Sequence, residues 1–246
     1  MLARQMRPDD HAESRVKPRR LVVAPFAEEL AGIAAVLSRV HQRESVPGLR
    51  LDAEYLPALG TLLATGGHGK SQFAVQTQYL LSCFPSVELV ICAGAAGRLD
   101  PTLRVGDVVV ATETVEHDFS VLMVSRPLPR FPTDPKILEE MRTVAGARER
   151  RFRVVLDAIA SGDIDCVDAE QGRAIRAKTA AACVAWEGAG ARRAARFNRV
   201  GSVEIRAISD GADDTAGRDF NENLECAMGC LGELLLDYLE HTRVPS

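Results

Sequence analysis

Hydrophobic residues along this chain form two alternating patterns: short apolar runs, and longer segments in which apolar residues recur every three or four positions. The short runs have the length of buried strands, whereas the longer spacing gives a helix one apolar face. Strands are predicted at 21–24, 49–55, 61–65, 87–91, 103–110, 152–159, 183–186 and 201–209. Helices are predicted at about 30–40, 73–81, 135–147, 169–178, from 188 onward, and around 224–239. This alternation predicts an α/β fold with helices packed on a sheet.

The amino-terminal segment differs from the rest of the chain. Residues 1–19 are polar, mix basic with acidic side chains and lack the apolar core of a signal peptide, so a disordered leader is expected there. Residues 20–246 are long enough to bury one well-packed core, and 46% of the whole chain is hydrophobic. We therefore expect a single domain at 20–246. No apolar run approaches the length of a membrane span.

Charge and cysteine content narrow the class of partner. A formal net charge of −4 gives no general attraction to nucleic acid or to an anionic membrane, so a small-molecule partner is expected. The six cysteines form no Cys-X-X-Cys pair and the five histidines are scattered, which indicates neither a zinc site nor a disulfide framework. Cysteines inside apolar runs are typical of reduced thiols, and a cytoplasmic protein is expected.

Three carboxylates stand where a predicted strand gives way to a turn or a helix. Asp210 ends the apolar run at 201–209, Glu29 lies between the first strand and its helix, and Glu187 follows the run at 183–186. Ligands in open α/β sheets bind in the crevice at the carboxyl ends of the strands, where these residues would meet. Each has a structural alternative, because Asp also forms turns and helix caps, and acidic residues in a first turn stabilise the helix dipole.

Two glycine-rich segments could bring a backbone close to a ligand. Residues 94–97, Gly-Ala-Ala-Gly, follow a buried strand and are expected to form a turn that offers amide donors. Residues 64–71 fit a loose form of the phosphate loop, with alanine in place of the first glycine before Gly-Lys-Ser. No convincing metal-binding strand follows that loop, although a nucleotidase stays open as an alternative.

Several motifs, in their order and spacing, resemble those of the nucleoside phosphorylase and nucleosidase superfamily, most closely its methylthioadenosine/S-adenosylhomocysteine nucleosidase branch. The resemblance covers residues 20–240. Its anchors are Gly-Gly-His-Gly-Lys at 66–70, Ala-Gly-Ala-Ala-Gly at 93–97, Leu-Asp-Pro at 99–101, Val-Gly-Asp-Val-Val-Val at 105–110, Glu-His-Asp at 116–118, Ala-Ser-Gly-Asp at 160–163, Trp-Glu-Gly-Ala at 186–189 and Arg-Ala-Ile-Ser-Asp at 206–210. It implies a three-layer α/β/α sandwich around a twisted mixed sheet, and a homodimer.

The resemblance also implies roles for individual residues. Asp210 matches the aspartate that protonates the purine at N7, and Ser209 precedes it in the same motif. Glu187 matches the glutamate that holds the ribose hydroxyls. Glu29 matches the glutamate that orients the attacking water, and Arg206 matches the arginine beside that water. An aspartate acts as an acid near neutrality only if burial or a nearby charge raises its pKa.

The chain departs from the nucleosidase pattern at several of these positions. Ala185 and Trp186 stand where Glu and Met are usual, so one supporting carboxylate is absent and a bulkier wall replaces methionine. Ala95 replaces a serine near the water site, and Asp165 stands where a phenylalanine stacks on adenine, which leaves the base specificity open. Together with Glu187 and Ser209, the expected substrate contacts are Phe26, Ala95, Gly97, Asp165, Cys166 and Trp186.

The nucleophile follows from a motif that is missing. The phosphorylases of this superfamily carry a glycine-rich phosphate motif with arginine after the first strand, whereas residues 24–27 here read Ala-Pro-Phe-Ala. Water is therefore the expected nucleophile, and the expected reaction is hydrolysis of a purine nucleoside to free base and sugar, without metal or organic cofactor. A phosphate-dependent phosphorylase and a nucleoside-binding protein without activity remain alternatives.

Overall fold

A computed structural model describes residues 16–120, 123 and 126–243 of the chain. The strands within these residues are β1 (Arg20–Ala24), β2 (Glu44–Ser45), β3 (Ala53–Leu56), β4 (Thr61–Thr65), β5 (Leu89–Arg98), β6 (Val108–Glu116), β7 (Arg130–Pro132), β8 (Val154–Ser161), β9 (Cys183–Ala185) and β10 (Gly201–Asp210). The helices are α1 (Ala27–Leu37), α2 (Gly69–Cys83), α3 (Pro135–Gly146), α4 (Ala169–Thr179), α5 (Gly188–Phe197) and α6 (Ala216–His241).

These strands form one mixed sheet whose centre is β1 and β5. On one side β1 pairs with β4 in parallel, and β3 and β2 continue the sheet antiparallel to its edge. On the other side β5 pairs with β10 in parallel, and β6, β8 and β9 follow. Because the end of β9 pairs back with β5, this half of the sheet closes on itself. β7 adds a short antiparallel pairing to β6.

Helices cover both faces of the sheet because successive side chains of each strand point to opposite sides. Val22 and Ala24 of β1 pack in one hydrophobic cluster with α1, α3 and α6, whereas Leu21 and Val23 pack in a second cluster with α2 and α5. The predicted three-layer α/β/α sandwich is confirmed. Its long sixth helix runs beyond the predicted 224–239 at both ends.

The pairing of β5 with β10 creates the space for a site. β5 carries only alanine and glycine at 93–97, and Gly94 and Gly97 stand opposite Arg206 and Asp210 in the register, which shifts between Ile208 and Asp210. A side chain at Gly94 would place its Cβ 2.8 Å from Arg206 Nη1, and one at Gly97 would place it 2.7 Å from Asp210 Oδ1. The missing side chains on β5 therefore make room for the two polar side chains on β10.

The predicted turn at 94–97 is wrong, because β5 continues as a strand through Arg98. Its small residues are paired on both sides: Gly97 stands opposite Val184 of β9 and opposite Asp210 of β10. The glycines therefore serve close packing of neighbouring side chains, and reversal of the chain comes only after the strand.

Two predicted strands begin four or more residues later than the apolar pattern suggests. The run at 49–55 becomes a strand only at Ala53, since Gly48 adopts a positive φ of 86° and the chain turns before it. The run at 103–110 becomes a strand only at Val108, because the Asp107 side chain accepts a hydrogen bond from the Arg104 amide and closes a turn. That strand then extends to Glu116.

The predicted leader at 1–19 falls mostly outside the described residues, which begin at 16. Within its described part, the Arg19 amide donates to the Gly60 carbonyl at 2.9 Å, and Arg19 Nη2 donates to Glu88 Oε2 at 2.6 Å. Among the helices that the structure describes, none combines the length and apolar character needed to cross a membrane.

Candidate active site

A cavity of about 350 Å³ opens at the carboxyl ends of β5 and β10, at the crevice expected for an α/β sheet. A volume of this size falls in the range of small-molecule sites. Every residue predicted for the site lines this cavity: Phe26, Glu29, Ala95, Gly97, Asp165, Cys166, Trp186, Glu187, Arg206, Ser209 and Asp210.

Asp210, the last residue of β10, is 9% exposed and points into the cavity. Burial raises the pKa of its carboxyl group, although hydrogen bonds from Ser209 and from the Ala212 amide pull in the opposite direction. The Ser209 hydroxyl donates to Oδ2 at 2.7 Å, and the Ala212 amide donates to Oδ1 at 2.9 Å. These contacts fix the position of the carboxyl group. The raised pKa favours its protonated form, which is the form that a general acid needs.

Glu29 reaches the cavity from the first turn of α1. Its two oxygens accept hydrogen bonds from the Ala95 amide at 2.7 Å and from the Phe26 amide at 3.1 Å, and the second caps the start of α1. Burial raises the pKa of Glu29 to about 7 against these hydrogen bonds and the positive charge of Arg206. A carboxylate with a pKa near neutrality is suited to accept a proton from water. The structure therefore combines the helix-cap role with a place in the cavity.

Arg206 and Glu187 form a buried ion pair beside Glu29. Arg206 Nη2 lies 3.1 Å from Glu187 Oε2, and both side chains are almost fully buried. Glu187 precedes the first residue of α5, and its Oε1 lies 3.4 Å from the Gly69 amide, a long contact. Arg206 Nη1 also points toward the Ala95 carbonyl, 3.4 Å away. The arginine thus links Glu187 to the strand segment that binds Glu29.

Asp210 and Glu29 lie at different places along the cavity. Asp210 lies against Gly97 and Glu29 lies against Gly94 of the same strand. Three residues of a strand span roughly 10 Å. The roles expected from the resemblance require such a separation, because they place a sugar between a base at Asp210 and a water at Glu29.

An aromatic wall closes another side of the cavity. The His68 ring lies 4.0 Å from the Phe26 ring in an edge arrangement and 4.6 Å from the Trp186 ring, measured between centroids. Trp186 precedes Glu187 directly, so the wall stands next to the carboxylate expected to hold ribose. His68 was not predicted for the site, because its glycine-rich turn gave no signal of aromatic neighbours.

The segment that follows β8 supplies Asp165 and Cys166 to the cavity. Burial, with the negative charge of Asp210 next in size, raises the pKa of the Cys166 thiol to about 11. Its sulfur lies 3.7 Å from the Ala212 carbonyl. Cys166 therefore contributes a neutral, weakly polar surface near the acid.

Comparison with known proteins places the chain in a family. The family model described as the phosphorylase superfamily matches residues 19–240. The chain belongs to this superfamily. The predicted resemblance is thereby confirmed, over nearly the range expected from the motifs.

Individual members of the superfamily resemble the chain over most of its length. The 5'-methylthioadenosine/S-adenosylhomocysteine nucleosidase of Geobacillus kaustophilus is 31% identical over 227 residues, which cover 89% of this chain and 95% of that protein. The aminodeoxyfutalosine nucleosidase of Helicobacter pylori is 30% identical over 64% of this chain and 70% of that protein. The Neisseria meningitidis 5'-methylthioadenosine/S-adenosylhomocysteine nucleosidase in complex with methylthio-immucillin-A superposes with a TM-score of 0.80 at 28% identity, covering 90% of this chain and 98% of that one.

The lysine that follows the glycine-rich turn binds carboxylates of this chain, whereas a phosphate loop would use it to bind a triphosphate. Lys70 Nζ lies 2.9 Å from Glu116 Oε1 and 2.5 Å from Asp118 Oδ1, and Asp163 lies 4.0 Å away. Burial lowers the pKa of Lys70, but the hydrogen bonds with Asp118 and Glu116 outweigh it and raise the pKa. We call Lys70, Glu116, Asp118 and Asp163 the Lys70 cluster. The carboxylates of this cluster bind the Lys70 amino group, which would have to bind the triphosphate in a phosphate loop.

One buried carboxylate beside the site was not predicted from the sequence. Glu204 is 0% exposed, and its Oε1 accepts a hydrogen bond from Arg206 Nε at 2.9 Å. Its only sequence signal is a charged residue inside the apolar run at 201–209, two positions before Arg206 and thus on the same face of β10. We call Arg206, Glu187 and Glu204 the Arg206 cluster.

Proposed function

We propose that this protein hydrolyses the N-glycosidic bond of a purine nucleoside of the methylthioadenosine or adenosylhomocysteine type, releasing the free base and the sugar. The observation that carries the proposal is the pair of buried carboxyl groups in one cavity, Asp210 with a raised pKa and Glu29 with a pKa of about 7. One group suited to give a proton and another suited to take one are what hydrolysis of this bond requires.

The geometry suggests how the reaction proceeds. Asp210 gives its proton to N7 of the purine, the bond between the base and C1' breaks, and the sugar becomes an oxocarbenium-like cation. Glu29 accepts a proton from water as the water oxygen bonds to C1'. The carboxylates of Glu187 and Glu29 stabilise the positive charge on the sugar, and Glu187 holds the ribose hydroxyls. Proton transfer from Glu29 back to Asp210 through solvent completes the cycle.

The charges that line the cavity favour water over phosphate as the nucleophile. Among the lining residues that the structure describes, Arg206 is the sole Lys or Arg, and Glu187 and Glu204 already bind it. A phosphate dianion would also face the carboxylates of Glu29 and Glu187 with no free cation to bind it. Like charges in a buried site oppose each other strongly. This arrangement supports a hydrolase.

A second candidate substrate is aminodeoxyfutalosine, the nucleoside in the name of the aminodeoxyfutalosine nucleosidase among the relatives. The aromatic wall of Phe26, His68 and Trp186 favours a substrate with an apolar or aromatic group next to its ribose. We therefore include aminodeoxyfutalosine as a candidate beside the adenine thioethers.

The protein is further proposed to act in the cytoplasm as a homodimer with one catalytic domain. Ile164 and Val167 line the cavity, yet they are 45% and 53% exposed, and Phe119 is exposed as well. A second subunit that covers these apolar side chains would also close the cavity. All six cysteines are free thiols, which suits a reducing compartment. Sedimentation equilibrium that gives a monomer mass at micromolar concentration would contradict the dimer.

Product analysis over a panel of nucleosides tests the proposed function. We expect methylthioadenosine, adenosylhomocysteine or aminodeoxyfutalosine to yield free base, and at least one of them to exceed adenosine and inosine in kcat/KM. A protein that binds a nucleoside in calorimetric titration and releases no base from any of the five would be a binding protein, and the proposal would be wrong.

A further inference from the structure

Glu204 is a buried carboxylate that does not line the cavity and therefore does not touch a substrate. Its Oε2 accepts a hydrogen bond from the Thr114 hydroxyl at 2.6 Å, and its Oε1 accepts one from Arg206 Nε at 2.9 Å. A Cβ at Gly188 would come within 1.9 Å of Oε2, so the carboxylate occupies the space that this glycine leaves at the start of α5. Gly188 follows Glu187 directly, which places Glu204 beneath the residue expected to hold ribose.

Arg206 is shared between two carboxylates in a defined way. Its Nε–H donates to Glu204, and its Nη2 donates to Glu187 Oε2 at 3.1 Å and points to the Cys92 sulfur at 3.4 Å. A guanidinium beside one carboxylate commonly forms two parallel hydrogen bonds that occupy both carboxylate oxygens. Here the Nε–H donates to Glu204, so Glu187 receives a hydrogen bond from Nη2 alone.

The single contact has a consequence for Glu187. Its Oε2 is bound by Arg206, whereas the best partner of its Oε1 is the Gly69 amide at 3.4 Å. A contact of that length is weak, so Oε1 can accept a stronger hydrogen bond from a ligand. Ala185, which lines the cavity nearby, offers no carboxylate of its own.

We propose that Glu204 is a positioning residue: by binding Nε of Arg206 from behind, it limits the arginine to one oxygen of Glu187 and leaves the other oxygen for a ribose hydroxyl. This inference rests on the proposed function. Without an acceptor at 204, the buried Nε–H needs another partner, and Glu187 is the carboxylate within reach. Arg206 then binds both oxygens of Glu187, and recognition of the sugar is lost.

Two neutral variants of nearly equal length separate this role from its alternatives. E204Q keeps an oxygen for Arg206 Nε, and its amide can donate to the Thr114 hydroxyl, whereas E204M has no acceptor. The readout is the ratio of kcat/KM for a ribonucleoside to kcat/KM for its 2'-deoxy and 3'-deoxy counterparts. Loss of one hydrogen bond to a charged group is expected to lower this ratio roughly 10-fold in E204M. E204Q is expected to keep it within about 3-fold of wild type.

Other roles for Glu204 predict different results. If its charge alone mattered, E204Q and E204M would lower the ratio equally. If it served only folding, both variants would melt at lower temperature with the ratio unchanged. Either result overturns the inference.

If E204M does not fold, E204D takes its place, because it keeps the charge but withdraws the oxygen from Nε; an unchanged ratio in E204D contradicts the inference. A wild-type protein that cleaves no nucleoside would instead contradict the proposed function itself.

Discussion

The Arg206 cluster and the Lys70 cluster are built alike, yet only one of them lies in the cavity. Each holds a cation between two carboxylates. The Arg206 side chain is 1% exposed and lines the cavity, whereas the Lys70 side chain is 16% exposed and does not. Glu187 keeps an oxygen without a short partner, whereas Lys70 is bound by two carboxylates. A buried ion network therefore indicates a site only where a polar atom stays available to a ligand.

The comparison predicts that substitutions at the cavity change chemistry and that substitutions in the Lys70 cluster change stability.

Asp210→Asn removes the transferable proton and keeps the size of the side chain. We expect single-turnover hydrolysis to slow by roughly 10²–10⁴-fold with little change in substrate binding, as for loss of a general acid. Asp134→Asn is the matched control, because Asp134 is a carboxylate that caps α3 by accepting a hydrogen bond from the Lys136 amide and does not line the cavity. Full activity in a destabilised Asp210→Asn would assign this residue to turn formation alone.

The pH dependence of the residual activity tests Glu29. In the Asp210→Asn background residue 210 no longer titrates, so the pH dependence of the residual rate follows the ionised fraction of Glu29. Because the ionised form is the base, kcat/KM should rise with pH through about 7 and level off above it. Glu29→Gln in the same background should be slower by about 10²-fold and lack this rise. A rise that persists without Glu29 would move the base to another residue.

Glu187→Gln should weaken a contact made in both the ground state and the transition state. KM is expected to rise and kcat to fall, with a combined loss on the order of 10²-fold in kcat/KM. Steady-state kinetics on a ribonucleoside and its deoxy counterparts measures both quantities. A loss confined to kcat would assign Glu187 to the transition state only.

Lys70→Met should affect folding and leave the chemistry unchanged. Removing one partner from a partly buried ion network is expected to lower the free energy of unfolding by roughly 1–3 kcal/mol. Arg142→Ala breaks an exposed pair with Glu139 and serves as the control, with an expected change below about 0.5 kcal/mol. Urea unfolding with kcat/KM per folded molecule separates the two effects. Magnesium-dependent ATP binding that disappears in Lys70→Met would restore the phosphate-loop interpretation.

Local patterns in the sequence predicted the α/β fold and the three carboxylates Asp210, Glu29 and Glu187 of the cavity. Asp210 ends a strand and Glu29 lies in the first turn of the helix that follows one, and the topology of an α/β sheet gathers polar side chains from such positions whatever their distance along the chain. The alternation of apolar residues was enough to predict an α/β fold, and the family resemblance implied its three layers. The family resemblance added the roles, which residue types alone left open between capping and catalysis.

What the sequence could not show depends on long-range contacts. Glu204 reads as a misplaced charge in a strand until Thr114 and Arg206 are seen beside it. His68 reads as part of a glycine-rich turn until Phe26 and Trp186 are found on either side. The strand at Gly97 continues because β9 and β10 pair with it, whereas the glycine content alone predicted a turn there.

The identity of the sugar product at increasing phosphate concentration tests the central claim most directly. We predict free sugar as the product in every case, at a rate independent of phosphate, because the cavity presents Glu29 and Glu187 and no unpaired cation among its described residues. Sugar 1-phosphate formed at a rate proportional to added phosphate would contradict the account and make the protein a phosphorylase.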